Sequence, residues 1–398
     1  MKYNKENSIR DIICFSHLRW DFVYQRPQHL LTRWAKEARV FYFEEPVFGN
    51  FETNYLKIVK GSNTPNITIV TPHINRDLDE KEIYKYLSES VDNLIITNNI
   101  YDYLLWYITP MAMPFSGNLK PKMVVYDCMD ELSSFKGAHP NMIKNESLLM
   151  EFADVVFTGG QNLYEYKKNK HQNIHPFPSS IDQKHFESGI GSKEPFDQAE
   201  IHNPKVGFYG VIDERLDIEL LDGLANKLPD FQFIMIGPVV KINPAILPKQ
   251  TNIHYLGQKS YSQLPAYLAY WDVAFLPFAK NDSTRFISPT KTPEYLCAGK
   301  PVVSSSIRDV VIPYGEMGLV HIADNVTDFA HAIGKALLQK EDIIWQHKVK
   351  NFLKSNSWDL TWSNMKNVIQ ETLERKESIS RAFSKKVHVK DNYNNIGI

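Results

Sequence analysis

The chain has 398 residues, of which 43% are hydrophobic and 23% are charged, and its formal net charge at pH 7 is −1. This length allows two domains with separate cores, the composition is that of a soluble globular protein, and the near-zero charge argues against nucleic acid as a partner. The three cysteines (Cys14, Cys128 and Cys297) are too widely spaced for a disulfide framework or a metal site, which favours a reducing compartment.

Two further absences bear on where the protein works. The segment after Met1 is polar and lacks the apolar core of a signal peptide, and no uncharged apolar run is long enough to cross a bilayer. Together with the cysteine pattern, these features predict a cytoplasmic protein. Peripheral contact of the first domain with the inner membrane surface stays open.

The first half of the chain alternates strand and helix patterns. Residues 9–16 predict a buried strand, residues 26–36 an amphipathic helix with Pro27 in its first turn, and residues 39–44 the next strand. Strand, helix and strand in this order form a βαβ unit, which implies a parallel sheet. Further strands are predicted at 66–71, 122–130, 154–158 and 173–178, and helices at 79–91 and 141–153.

The run of residues 101–115 is apolar and aromatic, with Trp106, Tyr107 and Met111 among its side chains. We interpret it as a core helix followed by a loop, because large apolar side chains are mostly buried. The alternative is an exposed platform for a lipid-linked acceptor.

A polar stretch with glycine and proline, residues 187–204, predicts a linker after a first domain of residues 1–186. A second βα series fills residues 205–358 and predicts a second parallel sheet. Its strands are predicted at 205–212, 231–237, 253–257, 273–277 and 301–305, and its helices at 216–227, 261–271, 326–338 and 343–353. A final helix lies within residues 359–378, and we expect the basic, polar tail of residues 379–398 to fray.

The stretch 287–303 predicts a loop, a short helix and a buried strand. The start of such a helix favours an anion, and Lys291 adds a full positive charge there. Glu294 can accept hydrogen bonds from sugar hydroxyls, so a phosphate and a ribose together suggest a nucleotide. On the helix alone, an ordinary capped helix whose glutamate complements the dipole is an equally good interpretation. Ser288, Thr290 and Thr292 supply the oxygens expected to cap the helix, and at this helix start they are also candidate donor-binding residues.

The residues from Pro289 to Val302 resemble the donor-binding segment of GT-B glycosyltransferases, and most closely the family 4-like enzymes of bacterial cell-surface polysaccharide synthesis, including the teichuronic-acid type. The resemblance implies an α/β protein with two Rossmann-like parallel-sheet domains facing each other across a cleft, the first on the acceptor side and the second binding the nucleotide sugar. It also implies a C-terminal helix that crosses back to the first domain. In the family, two glutamates eight positions apart precede Ala-x-Gly-x-Pro-Val. Glu294 matches the second, which implies the ribose ligand, whereas Phe286 stands at the position of the first.

Ligands of open α/β sheets bind beyond the carboxyl ends of the strands, where each candidate loop of this chain lies. In the turn that begins at Gly210, the family carries an Arg and a Lys that bind the donor diphosphate. Val211 occupies the Arg position here, so we assign only Arg215, as a substitute cation that can bind phosphate bidentately. Pairing of Arg215 with Asp213 or Glu219 at the surface is the equal alternative. Two further strand-end turns, which could approach the base or the diphosphate, carry Gly237 and Gln258.

On the wall formed by the first domain, the loop 17–25 takes the place of the glycine-rich loop of many GT-B enzymes. Trp20 and Tyr24 could stack on a sugar face, and His17 and Asp21 could contact its hydroxyls.

The segment 126–135 resembles the acceptor-side motif of the same subgroup, which makes Asp130 an acceptor-binding candidate. If the reaction inverts the anomeric carbon, a general base must take the acceptor proton. The candidates, in order, are Asp127, Asp21 and His139. Helix capping is the simpler alternative for Asp127 and Asp130.

The expected function is that of a metal-independent glycosyltransferase of the hexosyltransferase class. It would move a sugar from a nucleotide diphosphate sugar to a glycan or lipid-linked glycan, retaining configuration if the family 4 likeness holds. No Asp-x-Asp pair in a suitable context offers to hold a nucleotide-bound cation, so neither a metal nor another cofactor is expected. Two alternatives stay open: a nucleotide-sugar 2-epimerase and a non-catalytic nucleotide-sugar-binding partner. A dinucleotide oxidoreductase is disfavoured, because neither first strand is followed by Gly-x-Gly-x-x-Gly.

Overall fold

The computed structural model describes residues 9–61 and 64–394, with side chains described up to residue 382. Its strands are β1 (Asp11–Ser16), β2 (Arg39–Glu44), β3 (Val47–Gly49), β4 (Tyr55–Gly61), β5 (Thr64–Asn75), β6 (Tyr103–Tyr107), β7 (Met123–Cys128), β8 (Val155–Thr158), β9 (Ile174–Pro176), β10 (Lys205–Tyr209), β11 (Gln232–Ile236), β12 (Ile253–Gly257), β13 (Val273–Leu276), β14 (Val302–Ser304) and β15 (Val320–Ile322).

The helices lie mainly between the strands, as in a series of βα units. They are α1 (Arg26–Trp34), α2 (Glu80–Thr97), α3 (Met113–Ser116), α4 (Met142–Phe152), α5 (Gln161–Lys167), α6 (Gln183–Glu187), α7 (Phe196–Ala199), α8 (Ile218–Lys227), α9 (Leu264–Ala269), α10 (Lys291–Cys297), α11 (Arg308–Val310), α12 (Val326–Gln339), α13 (Ile343–Leu353) and α14 (Trp358–Asn394). The element order therefore gives two consecutive α/β series.

Each series forms its own sheet. The first sheet has the order β3-β5-β2-β1-β6-β7-β8-β9, with β4 antiparallel to β5 at its edge, and the second has the order β12-β11-β10-β13-β14-β15. The strand order reverses direction between β1 and β6 in the first sheet and between β10 and β13 in the second. Crevices open at such reversals, beyond the carboxyl ends of the strands. The loops after β1 and β10 are therefore placed to form a site.

Both faces of the first sheet are buried, because its central strands carry apolar side chains on both sides. Ile13 and Phe15 belong to one core, and Ile12 and Cys14 to the core on the opposite face. The second core includes Trp358, Met365 and Ile369 of α14, so the last helix packs on the first domain. In the opposite direction, Ile181 and Phe186 pack into the core of the second domain. The chain thus crosses between the domains twice.

The interpretation of residues 101–115 as a core helix is wrong. The segment contains the buried strand β6, which pairs with β1 and β7 in the middle of the first sheet. A five-residue run of large apolar side chains fits a buried strand as well as a buried helix, and β6 is too short for periodicity to distinguish them. Because this strand lies inside the protein, its aromatic side chains do not form an exposed acceptor platform.

The segments between and after the domains contain helical structure. The predicted linker, residues 187–204, contains α7, whose fully buried Gln198 accepts a hydrogen bond from Trp271 Nε1 and donates one to the Tyr267 carbonyl oxygen. This segment is therefore packed on the second domain. In addition, α14 continues to Asn394, beyond the predicted end at residue 378. The last four residues of the tail lie outside the described residues.

Candidate active site

A cleft of about 670 Å³ lies between the two sheets and is lined by both domains. The loop after β1 forms one wall, and the ends of β10, β11 and β12 together with the start of α10 form the other. A smaller cavity of about 90 Å³ adjoins it and shares lining residues with it. These shared residues are Gln25, Val211, Arg215, Thr290 and Lys291.

The Lys291 side chain packs against Gly210, and Gly210 in turn packs against Gly237. A Cβ atom on Gly210 would lie 2.3 Å from Lys291 Cε, and one on Gly237 would lie 1.8 Å from the Gly210 carbonyl oxygen. Both glycines have φ near +147°, which side-chain-bearing residues rarely adopt. The predicted glycines Gly210 and Gly237 are thus sterically necessary for the packing of this wall.

The Lys291 ammonium group makes no hydrogen bond or ion pair with any residue in the described part of the chain. It lies 5.8 Å from the centroid of the Phe208 ring. Burial, and then the positive charge of Arg215, lower the Lys291 pKa to about 8. A half-buried ammonium group without an ion-pair partner at a cleft wall favours the binding of an anion, which would raise its pKa again.

Glu294 lies one helical turn after Lys291, so the two side chains share one face of α10. Its Oε2 accepts a hydrogen bond of 2.5 Å from Tyr209 Oη, and no described residue donates to its Oε1. The backbone N–H of Tyr209 donates in turn to Tyr295 Oη. Burial raises the Glu294 pKa to about 7, against the hydrogen bond from Tyr209 and the charge of Lys291, which lower it.

Arg215 lines the cleft, but its guanidinium group is shared with Asp213. Arg215 Nε and Nη2 donate to the Asp213 carboxylate at 2.7–3.1 Å, so the simpler alternative of an Asp213 pair is observed. The guanidinium also lies 5.6 Å from the Phe135 ring of the first domain, and Lys241 lies at the same distance from that ring. Arg215 thus keeps its place beside the cleft while its charge is partly offset.

The expected capping role of the hydroxyls around α10 is wrong. Thr290 is the N-cap residue with helical φ and ψ and no side-chain capping bond, since the turn enters the helix without an extended cap residue. Its side chain lines both cavities, and Ser288 lines the smaller one. Thr292 is buried, and its Oγ1 has no hydrogen-bond partner among the described residues.

The loop 17–25 forms the wall of the first domain, although its residues divide into two groups. Asp21 and Tyr24 are both exposed at the cleft and line it. Trp20 also borders the cleft, but its ring is 92% buried and packs edge-on against Tyr42 at 4.9 Å, so it is a core side chain rather than a free stacking surface. His17 does not line either cavity. Burial lowers the pKa of His17 to about 4.

The two walls touch at one end of the cleft. Gln258 Nε2 donates to the Phe22 carbonyl oxygen at 2.7 Å, so this predicted donor residue links the second domain to the loop of the first. The Tyr24 ring stacks on Tyr261 with a centroid distance of 4.5 Å. These contacts enclose that end of the cleft.

Asp127 does not face the cleft. Its carboxylate is almost fully buried and accepts three hydrogen bonds of 2.7–3.1 Å from Arg26, which also donates to the Phe177 carbonyl oxygen. Asp127 is turned away from the cleft because it pairs with a residue distant in the chain: Arg26, the first residue of α1, lies next to the end of β7. This geometry favours a positioning role for Asp127 over the general base predicted from the sequence.

The two remaining candidates of the first domain, Asp130 and His139, differ in whether they line a cavity. Asp130 lines the smaller cavity, and its carboxylate makes no hydrogen bond with any described side chain or backbone group. Burial raises the Asp130 pKa to about 6, although the charges of Arg215, Arg26 and Lys291 lower it. His139 is exposed, accepts a hydrogen bond from Asn141 N and lines neither cavity. The site therefore brings Asp130 and Asp21 to the cleft, and leaves His139 outside.

Two tyrosines of the site were missed by the sequence analysis. Tyr209 ends β10 immediately before Gly210, a position at which strand-end side chains meet a ligand, and this signal could have found it. Tyr261 follows β12 by four residues in a short helical turn, and no local pattern distinguishes it from a core aromatic residue.

The described residues contain no group of three or more His, Cys, Asp or Glu side chains arranged to hold a metal ion. Among the helices that the structure describes, none combines the length and the apolar character needed to cross a bilayer.

Sequence comparison finds a match for the second domain. A family model described as "Glycosyl transferases group 1" matches residues 203–339. The chain is also similar to the "Putative teichuronic acid biosynthesis glycosyltransferase TuaH" of Bacillus subtilis (strain 168), with 22% identity over 281 residues, 64% of this chain and 68% of the relative. Residues 203–339, which match the family model, contain β10, Arg215, Lys291 and Glu294, and these belong to the cleft wall described above.

Solved structures match almost the whole chain. The E. coli trehalose-6-phosphate structure bound with UDP-2-fluoro glucose has a TM-score of 0.67 at 14% identity, over 91% of this chain and 99% of that chain. Anabaena Alr3699/HepE in complex with UDP gives 0.61 at 14% identity, over 91% and 100%. A trehalose-6-phosphate synthase structure, from work on glycosyltransfer with retention using bisubstrate glycomimetics, gives 0.62 at 14% identity, over 90% and 99%. At these identities, the matches establish the two-domain GT-B fold.

The fold, the family match and the curated relative agree with the resemblance found in the segment from Pro289 to Val302. The chain is a glycosyltransferase of GT-B type, and its residues 203–339 match the model of the group 1 glycosyl transferases.

Proposed function

We propose that the chain transfers a sugar from a nucleoside diphosphate sugar to a glycan or lipid-linked glycan acceptor in cell-surface polysaccharide synthesis. The observation that carries the proposal is the pairing of Lys291 and Glu294 on one face of α10. One offers an unpaired ammonium group and the other a carboxylate oxygen without a donor, both toward the same cleft. A diphosphate needs the first and a ribose hydroxyl needs the second.

The second domain would hold the donor in a fixed orientation. Lys291 binds the diphosphate, and Arg215 adds a second cation from the neighbouring turn while it stays oriented by Asp213. Gly210 leaves room for the Lys291 side chain, and Gly237 leaves room for the Gly210 carbonyl group, so both glycines keep the lysine in place beside the diphosphate. As the bond between the sugar and the diphosphate breaks, negative charge accumulates on the leaving phosphate. A cation that is partly removed from water stabilises this charge more strongly than one in water.

The acceptor would enter from the first domain. Asp130 lines the small cavity beside Lys291 and Arg215, and Asp21 lies exposed at the rim of the larger cleft. Both carboxylates can accept a hydrogen bond from an acceptor hydroxyl and so orient it toward the sugar. This arrangement suits a reaction that retains configuration, in which the acceptor attacks on the side of the leaving group and the phosphate itself can take the proton. Phe286 at the position of the first family glutamate is buried and belongs to a core of the first domain, so no carboxylate acts from there.

We further propose that the reaction needs no metal ion and that the enzyme works in the cytoplasm, with peripheral contact between the first domain and the inner membrane surface. Lys291 and Arg215 supply the positive charge that a metal ion would otherwise provide at the diphosphate. Addition of Mg²⁺ or of EDTA is therefore expected to leave turnover unchanged.

A thermal-shift panel of nucleotides and nucleotide sugars, with and without Mg²⁺, tests the donor site. One nucleoside diphosphate is expected to raise the melting temperature, and Glu294→Ala is expected to abolish this rise. Glu341→Ala removes an exposed carboxylate far along the chain, between α12 and α13, and serves as the matched control. No stabilisation by any nucleotide at millimolar concentration would contradict the proposed donor.

Turnover then separates the transferase from the epimerase. The donor identified by the panel is incubated with lipid-linked glycan acceptors, and both nucleoside diphosphate release and the free sugar nucleotide are followed. Acceptor-dependent release supports transfer. Conversion of the free donor into its epimer without any acceptor would instead identify a 2-epimerase.

A further inference from the structure

The ring of Tyr261 is held between two other rings at the closed end of the cleft. His185 stacks on it with a centroid distance of 3.9 Å and an interplanar angle of 9°, and Tyr24 stacks at 4.5 Å and 19°. Two rings this close and this parallel to Tyr261 cannot lie on the same face without overlapping each other, so they lie on opposite faces. No ligand base can therefore stack on Tyr261 in this conformation, which leaves its hydroxyl group as the part that can bind a ligand through a hydrogen bond.

This hydroxyl is buried and has no hydrogen-bond partner among the described residues. Tyr261 and Glu294 line the same cleft, and burial together with the charge of Glu294 raises the pKa of Tyr261. Buried hydroxyl groups almost always have a partner, and leaving one without a partner costs about 1–3 kcal/mol. An unpartnered hydroxyl fixed in orientation at a cleft wall therefore marks a position for a polar ligand atom.

The ionised Glu294 offers acceptors but no donor to a ribose. Its Oε2 already accepts from Tyr209, and a carboxylate cannot donate to the lone pairs of a sugar hydroxyl. A tyrosine hydroxyl does both, since it donates one hydrogen bond and accepts another. The combination of Glu294 and Tyr261 thus matches the vicinal hydroxyls of a ribose better than Glu294 does by itself.

We propose, on the basis of the donor site described above, that Tyr261 is a specificity-determining residue whose hydroxyl hydrogen-bonds a ribose hydroxyl of the donor and selects ribonucleotides over deoxyribonucleotides. Sites built to bind a substrate hydroxyl reject the analogue that lacks it, because their own polar groups are then left unpaired. Tyr24 belongs to the first domain and Tyr261 to the second, so the orientation of the hydroxyl depends on both walls.

Binding measured by calorimetry with UDP, 2′-deoxy-UDP and 3′-deoxy-UDP tests the proposal. UDP is the first probe, and the ribonucleoside diphosphate that stabilises the protein most in the thermal-shift panel replaces it if that differs. The wild type is expected to bind one of the deoxy analogues at least about tenfold more weakly than the parent. In Tyr261→Phe, binding of the parent falls about threefold to tenfold, which is the loss of one neutral hydrogen bond. The preference for the parent over that analogue shrinks by the same factor.

Tyr255→Phe is the matched control, because Tyr255 Oη donates to the Pro248 carbonyl oxygen at 3.1 Å and does not line the cleft. It is expected to bind all three probes as the wild type does. Unchanged binding and unchanged discrimination in Tyr261→Phe, while Glu294→Ala still loses binding, would overturn the role of Tyr261 and leave the donor site standing. If no ribonucleoside diphosphate binds the wild type, both the donor site and this inference fail.

Discussion

Gly210 and Lys291 lie so close that a methyl group on the glycine would come within 2.3 Å of Lys291 Cε. Gly210→Ala is therefore expected to displace the lysine from the cleft. An alanine at position 210 is also strained at the φ of +147° that Gly210 adopts, so the melting temperature should fall as well. At a temperature where the variant is folded, we expect kcat/KM to fall by at least about tenfold, because a misplaced cation no longer stabilises the leaving phosphate.

Gly191→Ala is the control for that experiment. Gly191 also has a positive φ, of +77°, but a Cβ atom there meets nothing within 4 Å. It should lose some stability and keep kcat/KM. Wild-type kcat/KM in Gly210→Ala would show that the position of Lys291 does not matter for turnover.

Substitutions of Lys291 and of Glu294 should affect different kinetic parameters. Loss of the ammonium group in Lys291→Ala removes charge that matters most in the transition state, so kcat should fall more than donor affinity. Loss of the carboxylate in Glu294→Ala removes a ground-state contact, so donor binding should weaken strongly. Determination of kcat and of the donor Kd for both variants checks this, and identical kinetics to the wild type in both would remove the site assignment.

The pH dependence of kcat/KM should be bell-shaped. Burial raises the Glu294 pKa to about 7, so the carboxylate that accepts from the ribose takes up a proton below that pH. Burial and Arg215 lower the Lys291 pKa to about 8, so the ammonium charge is lost above that pH. Activity is therefore highest between about pH 7 and pH 8 and falls on either side.

Two substitutions test the assignment of each side of that profile. Lys291→Arg should move the alkaline side upward, because guanidinium keeps its charge, and Glu294→Gln should flatten the acidic side. The folded state binds more protons than the unfolded state from about pH 4.5 to pH 7 at Glu294, and fewer from about pH 8 to pH 10.5 at Lys291. These two groups therefore make unfolding easiest near pH 7–8 in the ligand-free protein. An alkaline limit unmoved by Lys291→Arg would refute the role of the lysine.

The ion pair of Arg26 and Asp127 has side chains only 3% and 1% exposed. Asp127→Asn would leave a buried guanidinium without its counter-charge, and the free energy of unfolding is expected to fall by about 3–5 kcal/mol. The double variant Arg26→Met/Asp127→Leu removes both charges and should recover most of that loss. Denaturant unfolding of the wild type and both variants measures the difference.

The same variant tests the base predicted from the sequence. An Asp127→Asn protein with wild-type stability but no turnover would favour the general base over the positioning role. Reduced stability with residual turnover would favour positioning.

The sequence was most informative where local pattern and chemistry coincide. The stretch 287–303 predicted the helix α10 and the strand β14 within one or two residues, together with Lys291 and Glu294, because glycine, proline and β-branched residues there act locally. The strand β6 was missed for the opposite reason, since a short apolar run lacks a period of its own.

Roles that depend on distant partners could not be predicted. Asp127 was chosen as a free carboxylate at a strand end, and its partner Arg26 is 101 residues away in the chain. Tyr261 acquires its fixed hydroxyl from rings of His185 and Tyr24, which are brought to it only by the folded domains. Burial and pairing of this kind decide which polar side chain is available to a ligand, and local sequence does not record them.

The position of α14 has a consequence for synthesis on the ribosome. Trp358, Met365 and Ile369 cover the face of the first sheet that carries Ile12 and Cys14. Helix α1 covers part of this face, and the rest stays uncovered after the first domain has been translated until the chain has grown to residue 369, which takes on the order of 10–40 s. The domain that is translated first is therefore completed last, and a nascent chain must be protected from aggregation over that interval.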